Sequence, residues 1–258
     1  MGKHEIISAK RALHILLALA LATALTARGS DTDAGQLIVS IAPGWNSSAG
    51  KLQLFERSGG GWKPVSGVIP VLYGKNGLAW GRGVRGADEP GLKKVERDWR
   101  APAGVFDVGK IYSYDAKLPG GADYPFHQVT DADAWVDDSS SPDYNRFVTI
   151  DPKNPPPWFE KAKMRQKDFA YRWLIEIRHN ADPPLPGAGS AIFFHIRRGV
   201  TRPTSGCTTM AEENLVEIIR WLRAGEHPRY VLLPWSEYQK KWREWGLPGL
   251  DAVHAIAP

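Results

Sequence analysis

Cysteine is almost absent from this 258-residue chain: Cys207 is the only one. Intrachain disulfides need pairs, so a disulfide framework is excluded. The lone thiol is left as a small buried hydrophobe, an intermolecular bridge or a reactive group. Metal-ligand spacing is missing as well. His127, His179, His227 and His254 stand alone, so no zinc site and no metal are expected. The run DADAWVDD at 131–138 resembles a calcium loop only briefly. It lacks the Gly a calcium turn needs at the sixth loop position, and Pro142 occupies the twelfth, where a Glu is required. No stretch interleaves Lys and Arg with aromatics and the net charge is only +5, so nucleic acid is not an expected partner. Nothing in the motifs calls for a cofactor.

Long apolar runs are scarce too. Ala12 to Ala27 is apolar except for His14 and two Thr, but its 16 residues are short for a membrane span. Lys3, Lys10 and Arg11 precede it, small residues at Ala22, Ala24 and Ala27 offer cleavage positions, and no basic stop-transfer flank follows. This is the pattern of an export signal over residues 1–27. A retained signal anchor is the alternative, and no other membrane contact is expected. Without residues 1–27 the net charge falls to +3, which suits an ordinary soluble surface or contact with an acidic polymer.

What is plentiful is turn chemistry. Twenty Pro and 26 Gly, many in short clusters, favour a turn-rich, mainly β architecture. After a polar linker at 28–35, strands are expected at 36–41 and 51–56, with Gly59-Gly60-Gly61 turning into Trp62–Val65. Further strands are expected at 68–72, 105–112, 171–178, 191–196 and 230–233. The stretch from Tyr114 to Asn145 is long, acidic and irregular. Helical segments are expected at 159–170 and, most clearly, at 211–224, where Leu215, Ile218, Ile219 and Leu222 share one face. Thr209-Met210-Ala211-Glu212 fits a capping box, which places that helix start just after Cys207. No repeat or second linker appears, so residues 36–258 are expected to form one domain.

The chemistry concentrates in one segment. His195 ends an apolar run, and Cys207 follows twelve residues later within Pro203-Thr204-Ser205-Gly206-Cys207. A thiolate attacks far better than a thiol. A helix N-terminus and a neighbouring imidazole would both favour it, so a depressed Cys207 pKa is expected. Gly206 allows close backbone approach, and the amides of Gly206 and Cys207 are candidates to hold an oxyanion. Taken alone, the pair also fits a core His at a strand end and a buried Cys under a helix.

The neighbouring words decide between these. Gly189-Ser190-Ala191-Ile192-Phe193-Phe194-His195 followed by Pro203-Thr204-Ser205-Gly206-Cys207 closely resembles the L,D-transpeptidase catalytic domain of the YkuD type, whose motif places a His upstream of Ser/Thr-x-Gly-Cys. Trp80-Gly81-Arg82-Gly83, Ala101–Phe106, Trp135–Asp138 with Tyr144-Asn145, and Trp245–Pro248 resemble its other landmarks, so the likeness covers roughly residues 36–250. The resemblance implies a β-sandwich-like fold with a helix after the catalytic Cys loop. It implies Cys207 as nucleophile on a peptidoglycan stem peptide, His195 as base and the Ile196 carbonyl orienting the imidazole. An amine would resolve the thioester in a cross-linking transpeptidase; water would do so in a carboxypeptidase or amidase of the same fold. A cell-wall binding module with an incidental Cys is the non-enzymatic alternative. Thr204, Ser205, Arg197, Tyr144 and Asn145 are candidate substrate contacts, with Arg198 and Arg202 beside them. Ser205 and Thr209 depart from many members, which carry His before Gly-Cys and Arg or Asn two residues after the Cys. The expected site of action is periplasmic or extracellular, at the cell wall.

Overall fold

The computed structural model describes residues 34–258, so the expected signal segment lies outside the described residues. Ala34 is buried and the Gly35 amide donates to the Glu226 carbonyl, which fastens the end of the expected linker to the body.

The strands pair in a circuit. β1 (Gln36–Ala42) lies between β2 (Ala49–Ser58), antiparallel to it, and β13 (Arg229–Pro234), parallel to it. From β13 the sheet passes through β6 (Ala101–Ser113), β10 (Trp173–Ile177), β11 (Phe193–Ile196), β12 (Thr208–Met210) and β4 (Ile69–Leu72), and β4 pairs back to β2. The class is mainly β, as the residue pattern implies, and the two faces of the expected sandwich are parts of one closed sheet. Closure satisfies backbone groups that an open edge would leave unpaired. β3 (Gly61–Pro64) extends β2 through the turn at Gly59-Gly60, where φ of 57° and 82° requires glycine-like freedom. β5 (Leu78–Trp80) and β7 (Phe126–Gln128) flank β6.

Side-chain alternation on β11 separates two cores. Phe194 and Ile196 join the main core with Phe106, Met210 and Tyr230. Phe193 turns the other way, into a second cluster with Tyr112, Trp135, Met164 and Leu174. The long excursion between β6 and β10 supplies much of this second cover, including the hairpin of β8 (Asp133–Trp135) and β9 (Phe147–Thr149). Asp133 organises that cover. Its buried carboxylate accepts from His127 Nε2 at 2.9 Å, from the Thr130 amide and hydroxyl at 2.7 and 2.9 Å, and from Thr149 Oγ1 at 2.7 Å. The aspartate of the calcium-like run thus spends its oxygens on the loop's own donors.

Two helical expectations need correction. In place of one helix over 159–170 there is a single-turn α1 (Phe159–Ala162) and a separate 3-10 turn at Phe169–Tyr171. Lys163 is extended and Lys167 adopts φ 57°, which breaks the run, and Asp168 caps the second turn by accepting from the Ala170 amide. The helix after Cys207, α2 (Glu212–Trp221), begins only after β12 has intervened. Its N-cap is Ala211, with no side-chain cap, so the Thr209 capping box does not form. Thr209 is instead paired on both sides, to His195 of β11 and Leu72 of β4. Sheet pairing in a buried, β-branched segment outweighs a cap worth about 1 kcal/mol. The apolar face of α2 does bury Leu215, Ile218 and Ile219. A last helix, α3 (Trp235–Lys241), follows β13.

Candidate active site

β11 and β12 run parallel, with Phe194 opposite Thr208 and His195 opposite Thr209. His195 therefore points to the outer face of the sheet, beside Phe193. Cys207, two residues before Thr209, points the same way. It packs on the second cluster beside Tyr171 and Ala191. The Tyr171 ring meets the His195 ring edge-on, with centroids 5.2 Å apart. The two candidate catalytic side chains are diagonal neighbours on one face, with Tyr171 shared between them.

His195 is 2% exposed, and its Nδ1 lies 2.9 Å from the Ile196 carbonyl. A carbonyl only accepts, so Nδ1 carries the proton and Nε2 presents a lone pair. Burial lowers the imidazole pKa to about 4, the Arg198 charge pulling the same way; the Ile196 carbonyl and Asp168 oppose the shift. The ring is neutral at neutral pH. Arg198 stacks 4.7 Å from the Tyr171 ring centre and is paired with Asp168 at 2.5 Å, making a partly exposed charged wall.

Cys207 is partly exposed at the surface. Its Sγ donates weakly to the Ala191 carbonyl at 3.5 Å. Burial pushes the thiol up to about 11, against a hydrogen bond from the Phe193 amide and the charges of Arg198 and Lys94. This overturns the expectation of a depressed thiol pKa. The physical reason is twofold: β12 separates Cys207 from the helix start, and the neighbouring imidazole is uncharged. The resting pair is a neutral thiol beside a neutral imidazole.

The turn before Cys207 is built by Thr204. Its hydroxyl donates to the Cys207 carbonyl at 2.7 Å and accepts from the Gly206 amide at 3.0 Å. One of the two amides expected to meet an oxyanion is therefore already engaged. Gly206 adopts φ 153°, and a Cβ there would lie 2.9 Å from the Arg100 carbonyl, so a larger residue would strain the turn. Ser205 is exposed at its rim, and Arg197 is half-buried with its amide on the Met210 carbonyl. Thr209 Oγ1, on the His195 face, is buried with no hydrogen-bond partner among the described residues.

Tyr144 and Asn145, candidate substrate contacts by sequence, are both buried and hydrogen-bonded into the structure around Ala191. Asn145 accepts from Trp135 Nε1 and the Ala191 amide, each at 3.0 Å, and donates to the His179 and Asn180 carbonyls at 2.9 and 2.8 Å. Tyr144 donates to Glu96, which also accepts from Ser190 Oγ at 2.8 Å. Together these hold Ala191 at φ 54° with its carbonyl against the sulfur. Sequence reasoning missed Glu96, Asp168, Tyr171 and Ala191. Only the alternating charges of Lys94, Glu96 and Asp98 offered a signal.

A site of this geometry sits in a matched sequence. Residues 47–231 match the family model described as YkuD, L,D-transpeptidase catalytic domain. The chain belongs to that family. The match spans both β11 and the Cys207 turn, so this L,D-transpeptidase domain carries its His and Cys where the family-matched fold brings them to one face. No curated protein and no solved structure matches the chain.

Proposed function

We propose that this L,D-transpeptidase domain is an exported cysteine acyltransferase acting on peptidoglycan stem peptides. The observation that carries the reading is the shared face of β11 and β12, with His195 Nδ1 engaged by Ile196 and Nε2 left to accept a proton. As Cys207 Sγ attacks the carbonyl after the third stem residue, its proton passes to Nε2. The carbon–nitrogen bond breaks, the terminal D-residue leaves as an amine taking that proton, and a thioester remains. A second stem's amine then attacks the thioester, its proton returns through His195 to the sulfur, and a cross-link is formed. The Arg198–Asp168 wall places a cation beside the nucleophile, suited to a stem carboxylate, more directly than Arg197 does.

Water in place of the amine gives a carboxypeptidase of the same fold. One incubation separates the readings: purified protein with tetrapeptide stems, with products read by mass. A cross-linked dimer supports transfer, a tripeptide alone supports hydrolysis, and unchanged stems overturn both.

A further inference from the structure

Behind the Gly206–Cys207 turn runs a strap, residues 93–100, whose charged residues at 94, 96 and 98 point into the protein. Lys94 is only 4% exposed, an uncommon state for an ammonium group. Its Nζ donates to the Asp98 carboxylate at 2.6 Å and to the Val95 carbonyl at 2.7 Å. Asp98 also accepts from the Val95 and Arg100 amides, at 3.0 and 2.9 Å. The Arg100 carbonyl in turn packs against Gly206, and Lys94 Cε would lie 3.7 Å from a Cβ built on that glycine. A shape-supporting role alone does not require a charge here, because burying an ion pair is seldom more stabilising than apolar packing of the same volume.

We propose that Lys94 is a positioning residue for the Cys207 nucleophile, its Asp98-clamped side chain backing the Gly206 turn and keeping a buried positive charge close behind the sulfur. The inference rests on the reading of Cys207 as nucleophile. Several of the described charged and titratable groups act on the sulfur or stand beside it. Lys94 and Arg198 carry positive charge, His195 is neutral, and Tyr171 is a phenol whose own ionisation is disfavoured by burial and by the nearby sulfur. Asp168 is tied to Arg198, and Asp98 to Lys94. His179 is also near Lys94, whose charge adds to burial in keeping that imidazole neutral. Lys94 thus offsets part of the burial that raises the thiol.

Because Cys207 is the only cysteine, thiolate absorbance or alkylation against pH reads it alone in the full chain. Lys94→Met leaves the half-buried Asp98 without its cationic partner, so the double variant Lys94→Met/Asp98→Asn is measured beside it, with Lys94→Arg retaining the charge. The expected result is a thiol midpoint raised by roughly half a pH unit or more in both Met-containing variants. Acylation by a stem peptide should slow by roughly three- to tenfold, with KM changed less. Lys94→Arg should keep the midpoint near that of the wild type. A folded double variant with an unchanged thiol midpoint overturns the proposal, whatever its stability. If the midpoint shifts but no variant, nor the wild type, is acylated, the nucleophile reading fails and the Lys94 effect on the sulfur stands.

Discussion

Asn145→Ala probes the support under Cys207. The Asn145 amide makes four buried hydrogen bonds, joining Trp135, Ala191, His179 and Asn180. At about 1 kcal/mol net for each, their loss costs about 4 kcal/mol. The residue also sits at φ 55°, where Asn is tolerated and Ala is disfavoured by roughly 1 kcal/mol. The sum is about 5 kcal/mol, a large part of the stability of an ordinary domain. Urea unfolding followed by tryptophan fluorescence measures it, through the midpoint and slope of each protein. Asn145→Asp is the informative companion: a carboxylate still accepts from Trp135 and Ala191 but repels the His179 and Asn180 carbonyls. It should therefore destabilise strongly as well, by 2 kcal/mol or more on the same reckoning. A loss below about 1 kcal/mol in the Ala variant would refute the reasoning, since it would leave Asn145 a dispensable loop residue and the Ala191 carbonyl unsupported.

Other outcomes follow from the same geometry. His195 and His179 are both buried and neutral, with pKa values near 4 and near 3 against an ordinary 6.5. Below pH 6.5 the unfolded chain takes up protons that the folded chain refuses, so stability present above 6.5 should fall by about 1.4 kcal/mol per pH unit per histidine. Urea midpoints at pH 7 and pH 5 check this, and equal stability at the two would contradict it. His195→Ala should slow acylation by roughly 10²- to 10⁴-fold, read by single-turnover mass measurements, while an unchanged rate removes His195 from the mechanism. Protein recovered from the cell envelope should begin between about residues 25 and 30 by N-terminal sequencing, whereas a full-length cytoplasmic chain contradicts export.

The mainly β class was legible in the sequence, as were the His195 and Cys207 words that the fold brings to one face, because each rests on a local pattern. Phe193 to Ile196 alternates between two apolar environments, and Ser205-Gly206-Cys207 is a short contiguous word. What the sequence hid was non-local. Thr209 reads as a helix cap by spacing, yet a partner strand on each side takes it into the sheet. The expected thiolate depended on that helix start, so the error carried into the electrostatics. Tyr144 and Asn145 read as candidate substrate contacts because nothing nearby in sequence shows their partners, which lie 34 to 48 residues away in chain order for Glu96, His179, Asn180 and Ala191. The closure of the sheet was equally invisible, since it depends on β1 finding both β2 and the distant β13.

The central claim is that Cys207 becomes acylated by a stem peptide. Intact-protein mass spectrometry after brief exposure to a tetrapeptide stem, without an acceptor amine, tests it most directly. The wild type should gain the mass of the stem minus its terminal residue and water, lose it on hydroxylamine treatment as a thioester does, and show no adduct as Cys207→Ala. An adduct of the same mass on Cys207→Ala, or turnover of stems by that variant, would contradict the account.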